Sequence, residues 1–368
     1  MKFIEIKNVG FDNKGAELML QSICKEFSTY QLVVTPNSRL EYKDFSKLGI
    51  FMRLAIPRSS FITLEVFLRF LPARIRHRIG VANWKEIDTV LDCSGLGYAD
   101  SWGLKDARDT LDLFRKAKRD KKKIIMLPQA FGPFKDPELF DTMKEIFALS
   151  DVVYVRDEVS MAHCRDTGDA NFIMAEDFTN TYHDNKIESR AKSKRMLFVP
   201  NYRLLDKGGL SKAQFYDLTL AAKKTAEDCG LEFKVLFHEE ADQKKLADRY
   251  DDLGVDNVFS DNIEVLASEI AASTCIVTGR YHAAATALSL GVPTLALSWS
   301  HKYAALLGIY EQERFVSNGK DLFEFEELVR DLIKCADSKP YLQKMEKHSI
   351  KYKRRTRSFF DELDKRLA

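Results

Sequence analysis

No run of this sequence is long and apolar enough to cross a bilayer. Its most apolar stretch, from Ala283 to Trp299, is broken by Gly291, Pro293 and several serines and threonines, whereas a spanning helix needs ~20 mostly apolar residues. An excess of charge of one sign is also missing. Lysine and arginine number 57 against 55 aspartates and glutamates, a net charge of +2, which speaks against a nucleic-acid binder working through its overall charge. The six cysteines, at 24, 93, 164, 229, 275 and 335, form no CxxC pair, no metal-ligand spacing and no disulfide framework. Reduced, buried thiols in a cytoplasmic protein are therefore expected, and no metal site. The first residues, Met-Lys-Phe-Ile-Glu-Ile-Lys, carry Glu5 and Lys7 where a signal peptide would be apolar.

What the sequence has is a long alternation of β-rich and helical patterns. Strands are expected at 3–6, 31–35, 89–92, 123–127, 151–155 and 171–174, with helices at 15–27, 106–119, 137–149 and 157–164. A second series follows, with strands at 196–199, 233–237, 257–259, 275–277 and 294–297 and helices near 211–228, 240–251, 262–272, 281–290 and 321–336. Strands spaced by helices of this length imply βαβ units and parallel sheets. The reading is α/β, with two Rossmann-like, doubly wound domains facing a cleft. Ligands then bind beyond the carboxyl ends of the strands. An N-terminal domain is expected over 1–180 and a C-terminal one over 195–340. The polar stretch 180–194 reads as the linker, and 341–368 as a basic helical tail.

Segment 51–80 stands apart, with six arginines, one acid (Glu65) and Phe51, Phe61, Phe67 and Phe70. It reads either as an insertion covering the first sheet or as an interfacial anchor giving peripheral contact with the inner face of a membrane.

Several strand ends carry chemistry-bearing residues. Asn13, Lys14 and Gly15 stand where a turn feeds a helix whose free N–H groups favour anions. Gly95 and Gly97 would let a backbone approach a ligand closely, and Gln129 offers both a donor and an acceptor. Arg156 at a strand end suits either a carboxylate or phosphate, or a local salt bridge. The most informative run is Thr278-Gly279-Arg280-Tyr281-His282-Ala283 through Gly291-Val292-Pro293. There a strand turns at Gly279 into a small-residue helix, so Arg280 and His282 leave from its first turn as anion ligand and proton donor. Ser298 and Lys302 follow the next strand and can reach the same anion.

Together these segments resemble the polysaccharide pyruvyl transferase family. The resemblance is carried by Asn13-Lys14-Gly15-Ala16-Glu17, Leu127-Pro128-Gln129-Ala130-Phe131-Gly132-Pro133, Val155-Arg156-Asp157, the Gly279–Pro293 run, Ser298 to Lys302 and His238-Glu239-Glu240-Ala241-Asp242. It departs at Ser94-Gly95-Leu96-Gly97, where the family often has a longer glycine run. The resemblance implies a GT-B-like fold and transfer of pyruvate from phosphoenolpyruvate to a sugar of a surface polysaccharide or cell-wall glycan, as a cyclic ketal. His282 and Arg280 would be catalytic. Arg280, Lys302, Ser298 and Arg156 would hold the donor. Asn13, Lys14, Gly15, Gly95, Gly97 and Gln129 would hold a sugar or lipid-linked oligosaccharide acceptor. No cofactor beyond the donor substrate is expected. A GT-B glycosyltransferase using a nucleotide sugar and a non-catalytic sugar-binding protein are the alternatives.

Overall fold

The structure is a computed structural model and describes residues 2–11, 13–35, 42–54, 68, 70–184 and 193–368. Two compact units emerge. One comprises Met1–Asp12, Met19–Phe178 and Phe359–Ala368, the other Asn13–Leu18 and Thr179–Ser358.

The first unit is built on a sheet of eight strands: β1 (Phe3–Lys7), β2 (Gln31–Val34), β3 (Phe51–Arg53), β4 (Val81–Ala82), β5 (Ile87–Asp92), β6 (Lys123–Gln129), β7 (Val152–Val155) and β8 (Phe172–Met174). Every pair is parallel and the spatial order is β4-β3-β2-β1-β5-β6-β7-β8. The chain winds outward from β1 in both directions, so the point where the winding reverses lies between β1 and β5. The helix Lys105–Arg119 buries Ala107, Thr110, Leu111, Phe114 and Ala117. That i, i+3, i+4 spacing makes one apolar stripe, which packs on the sheet with its charged face to solvent.

The second unit carries a six-stranded, all-parallel sheet: β9 (Arg195–Val199), β10 (Glu232–Phe237), β11 (Asn257–Phe259), β12 (Cys275–Thr278), β13 (Thr294–Leu297) and β14 (Val316–Ser317), in the order β11-β10-β9-β12-β13-β14. Here the winding reverses between β9 and β12. Both sheets are covered by helices, which is why their strands read as continuous apolar runs such as Met-Leu-Phe-Val and Cys-Ile-Val-Thr.

The structure departs from the sequence reading in five places. Strand β6 does not end at 127. It runs through Pro128 to Gln129, with the β6–β7 register slipping between Met126 and Gln129, because proline has no N–H to give to a ladder. Segment 51–80 opens as a strand of the first sheet and not as a cover over it. Its residues 55–67 and 69, including Phe61 and Phe67, lie outside the described residues. The expected linker is described at 180–184 and 193–194, and its first part is no solvated tether: Asn180, Thr181, Tyr182 and His183 are buried, while 185–192 lies outside the described residues. The C-terminal tail is one helix, Lys339–Leu367. It buries Met345, Tyr352, Phe359, Phe360, Leu363 and Leu367, and it takes its last residues into the first unit. All six cysteines are free, but Cys229 is exposed.

Candidate active site

In the second unit the carboxyl ends of β9 and β12 meet where the winding reverses. Asn201, just past β9, donates from Nδ2 to the Gly279 carbonyl at 2.7 Å, and the Tyr303 hydroxyl donates to the same oxygen at 2.6 Å. A Cβ on Gly279 would come within 2.9 Å of the Leu204 side-chain end and 3.0 Å of the Asn201 side chain, so a larger residue here would have to displace both. Arg280 is extended (φ −102°, ψ 119°) and caps the helix Tyr281–Ser289.

Two carboxylates engage its guanidinium, while Nη2 has no hydrogen bond of good geometry among the described residues. Arg280 Nε donates to Asp242 Oδ2 at 2.7 Å, Nη2 lies 2.6 Å from the same oxygen and Nη1 lies 2.6 Å from Glu239 Oε1. Asp242 also accepts the Tyr202 N–H at 3.0 Å through Oδ1. Burial pushes both carboxyls upward and the guanidinium opposes the push. The segment His238-Glu239-Glu240-Ala241-Asp242 thus supplies the acids that fix Arg280 across the ends of β10 and β12. As a donor ligand, Arg280 would share its guanidinium with two carboxylates.

His282 is half-buried on the first turn of the same helix. A Cβ at Gly15 would lie 2.1 Å from His282 Nδ1, so Gly15 is what admits the imidazole. Asn13, Lys14 and Gly15, expected on the acceptor side of an N-terminal domain, instead belong to the second unit with His282. Lys14 is buried, with Nζ 2.8 Å from Glu17 and 2.6 Å from Asp261. Burial opposes its charge, and the two carboxylates outweigh burial and raise its pKa. Asn13 Oδ1 accepts the Ala16 N–H at 3.0 Å and starts the helix Lys14–Glu26. His238, at the end of β10, is 6% exposed, and its Nδ1 has no hydrogen-bond partner among the described residues. Burial, and then the charges of Arg280, His282, Lys14 and His183, lower its pKa to about 3. It is a neutral imidazole in a cationic setting. His183 lies 3.5 Å from Glu264, which also accepts the Tyr182 hydroxyl at 2.9 Å.

Lys302 begins the helix Lys302–Ile309, with its ammonium 4.7 Å from the Trp299 ring centre, 5.1 Å from that of Tyr281 and 5.5 Å from that of Tyr303. Three rings hold the cation over the residue preceding His282 in the chain. Ser298 donates its hydroxyl to the Ser300 carbonyl at 2.9 Å.

The first unit has its own polar centre at the reversal point between β1 and β5. Asp92 is wholly buried and accepts from Asn8 Nδ2 (2.8 Å), Ser94 Oγ (2.9 Å), the Tyr98 hydroxyl (3.1 Å) and Gln129 Nε2 (3.0 Å). Burial raises its carboxyl, and the Gln129 hydrogen bond, the Lys7 charge and the Ser94 and Tyr98 hydrogen bonds oppose that. Gly95 is in the left-handed region (φ +70°) and its carbonyl accepts the Ala130 N–H at 2.9 Å. A Cβ on Gly97 would press Ser94 at 3.0 Å. Gly95, Gly97 and Gln129 are therefore gathered round Asp92, and Gln129 keeps a buried Oε1 with no partner among the described residues. Arg156 lies in this unit with Nη1 3.1 Å from the buried Asp177. It makes the local salt bridge.

The sequence reading named Arg280, His282 and Lys14 but gave no role to Asp242, Glu239, His238, Asp92 or Asn201. The signal for Asn201 and Asp92 was their place at strand ends. His183 was hidden in a stretch read as linker. Among the described residues no group of three His, Cys, Asp or Glu side chains is arranged to hold a metal ion, and no helix is long and apolar enough to cross a membrane.

The sequence model of a family described as polysaccharide pyruvyl transferase matches residues 13–301. No curated protein matches. Among solved structures, UDP-GlcNAc 2-epimerase from Neisseria meningitidis bound to UDP-GlcNAc is similar at a TM-score of 0.61 and 13% identity, covering 99% of this chain and 100% of that one. Anabaena Alr3699/HepE in complex with UDP is similar at 0.60 and 12%, covering 100% and 99%. A putative UDP-N-acetylglucosamine 2-epimerase from Listeria monocytogenes gives 0.59 and 12%, covering 94% and 90%. At such identities the likeness is one of fold, the two-sheet GT-B architecture.

Proposed function

The chain belongs to the polysaccharide pyruvyl transferase family, and on that premise we propose that it transfers pyruvate from phosphoenolpyruvate to two hydroxyls of one sugar in a polysaccharide or cell-wall glycan. The product is a cyclic ketal. C3 of the donor gains a proton, which leaves an oxocarbenium-like centre at C2. One sugar hydroxyl adds there and loses its proton, and the C2–O bond to phosphate breaks. The second hydroxyl adds in turn. Of the two hydroxyl protons released, one balances the proton taken up at C3 and the other leaves with hydrogen phosphate.

The observation that carries the reading is His282, seated against Gly15 at a helix start, with Lys14 and Lys302 supplied by neighbouring turns. His282 is the proton donor to C3. Lys302 and the free N–H groups of the helix Tyr281–Ser289 take the donor's phosphate and carboxylate. Arg280 contributes chiefly by fixing the turn, since Asp242 and Glu239 already engage it. His238 offers a neutral hydrogen-bonding imidazole in the same group. Asp92, Gln129 and the Gly95–Gly97 loop are the acceptor candidates in the first unit.

The test is to incubate the protein with phosphoenolpyruvate and candidate glycans, following phosphate release and the ketal methyl signal by NMR. Phosphate released only with a glycan, together with a new methyl singlet, supports the reading. A second reading, transfer from a nucleotide sugar, draws on the fold shared with proteins solved with UDP or UDP-GlcNAc bound. Glycan-dependent release of UDP from a UDP-sugar, with phosphoenolpyruvate inert, would favour it instead.

A further inference from the structure

Of the six arginines between 51 and 80, the structure takes two inward. Arg53 Nε lies 3.0 Å from Glu5 and Arg76 Nη2 lies 2.6 Å from Glu86. Phe51 is also spent, edge-on to Phe3 at 6.1 Å. Glu86 binds His77 Nε2 at 2.8 Å and the Asn83 N–H at 2.7 Å as well. The short helix Ala73–Arg78 is therefore tied by Arg76 and His77 to the turn Trp84–Glu86, which fixes which of its faces points away.

Away from those ties Ile75 is 47% and Ile79 43% exposed, with Arg74 and Arg78 exposed between them, and Phe70, just before the helix in the chain, is 82% exposed. No acid occurs from Leu68 to Gly80, and among the described residues no ion pair engages Arg74 or Arg78. Three large apolar side chains held in water beside two uncompensated guanidiniums suit a surface that is apolar below and anionic above. We propose that this face docks on an anionic lipid surface. Arg74 and Arg78 meet the headgroups, and Phe70, Ile75 and Ile79 enter the boundary of the acyl chains. A protein partner would need acidic side chains next to a groove for the three apolar ones, whereas a charged bilayer presents both everywhere. The contact is peripheral. It does not depend on the pyruvyl-transfer reading, because vesicle binding is measured without turnover.

The experiment is co-sedimentation of the full chain with vesicles of phosphatidylglycerol and phosphatidylcholine, and with phosphatidylcholine alone, at low and high salt. Two variants accompany it, Phe70→Ser/Ile75→Ser/Ile79→Ser and Arg74→Glu/Arg78→Glu. All five positions are exposed, so both variants should fold, which circular dichroism checks. Binding is expected to the anionic vesicles at low salt. It should fall with salt and drop about fivefold for each arginine charge removed, and the serine variant should not bind. Three results would overturn the proposal: no binding at low salt, binding undiminished in both variants, or wild-type self-association in solution that the same substitutions abolish. The last would assign the face to a second copy of the chain.

Discussion

At the scale of single residues, the site rests on one close approach that leaves no room for an extra atom. Gly15 admits His282, and a methyl group placed 2.1 Å from the imidazole nitrogen must displace the ring or the helix start. His282→Ala is expected to reduce turnover by ~10²–10⁴, the scale for loss of a general acid or base, with the unfolding midpoint unchanged. Gly15→Ala should reproduce most of that loss although alanine has no reactive group. Full activity in Gly15→Ala would mean that the ring position does not matter. Arg280 behaves differently. Its fork spans two buried acids, so Arg280→Lys keeps the charge and loses the geometry. That variant should lose on the order of 2 kcal/mol of stability, read from the shift of the denaturant midpoint. An Arg280→Lys protein as stable as the parent would show that the clamp to Asp242 and Glu239 is not what holds the turn.

At the scale of elements, the C-terminal helix differs most from its composition. Lys351, Lys353, Arg354, Arg355 and Arg357 make it read as a solvated basic face. Yet Lys353 and Arg357 both close on Asp184, at 2.8 Å and 2.7 Å, and the opposite stripe is core. Phe360 is 5% exposed, with ring contacts to Phe27 at 5.8 Å, Phe178 at 6.1 Å and Phe359 at 5.2 Å. Phe360→Ala should therefore cost about 3–4 kcal/mol. Hydrogen exchange should quicken in the first unit's strands, because residues 359–368 belong to that unit. A change within 0.5 kcal/mol, the scale of surface substitutions, would mean the helix end is peripheral. Strands β3, β4 and β14 have only two or three residues each and are not expected from the sequence pattern; their parallel pairing defines them.

At the scale of the whole molecule, a buried histidine makes stability depend on pH. The imidazole of His238 takes a proton near 6.5 in an unfolded chain and near 3 here, through burial and then through Arg280, His282, Lys14 and His183. Between those values the unfolded state binds more protons. Stability is therefore complete above ~6.5 and is lost as pH falls, by up to about 1.4 kcal/mol per pH unit. His238→Gln should flatten stability against pH between ~4 and ~6.5 by close to one proton, measured by denaturant titrations across that range. An unchanged slope would assign the acid sensitivity to other groups.

The sequence alone determined the kind of protein this is. Alternating strand and helix periods specify parallel sheets, because a crossover helix must follow each strand. Gly279, Arg280 and His282 could be placed at a strand-to-helix turn because turn chemistry is local. Neither signal carries side-chain partners distant in the chain. That Asp242 and Glu239 engage Arg280, that Arg156 pairs with Asp177, that Lys14 and Gly15 serve the second unit and that Arg53 and Arg76 face inward are matters of packing across 10 to 267 positions of chain. Burial decides them. A charged group removed from water must find its counter-charge wherever the fold brings one, and only the tertiary structure says where that is.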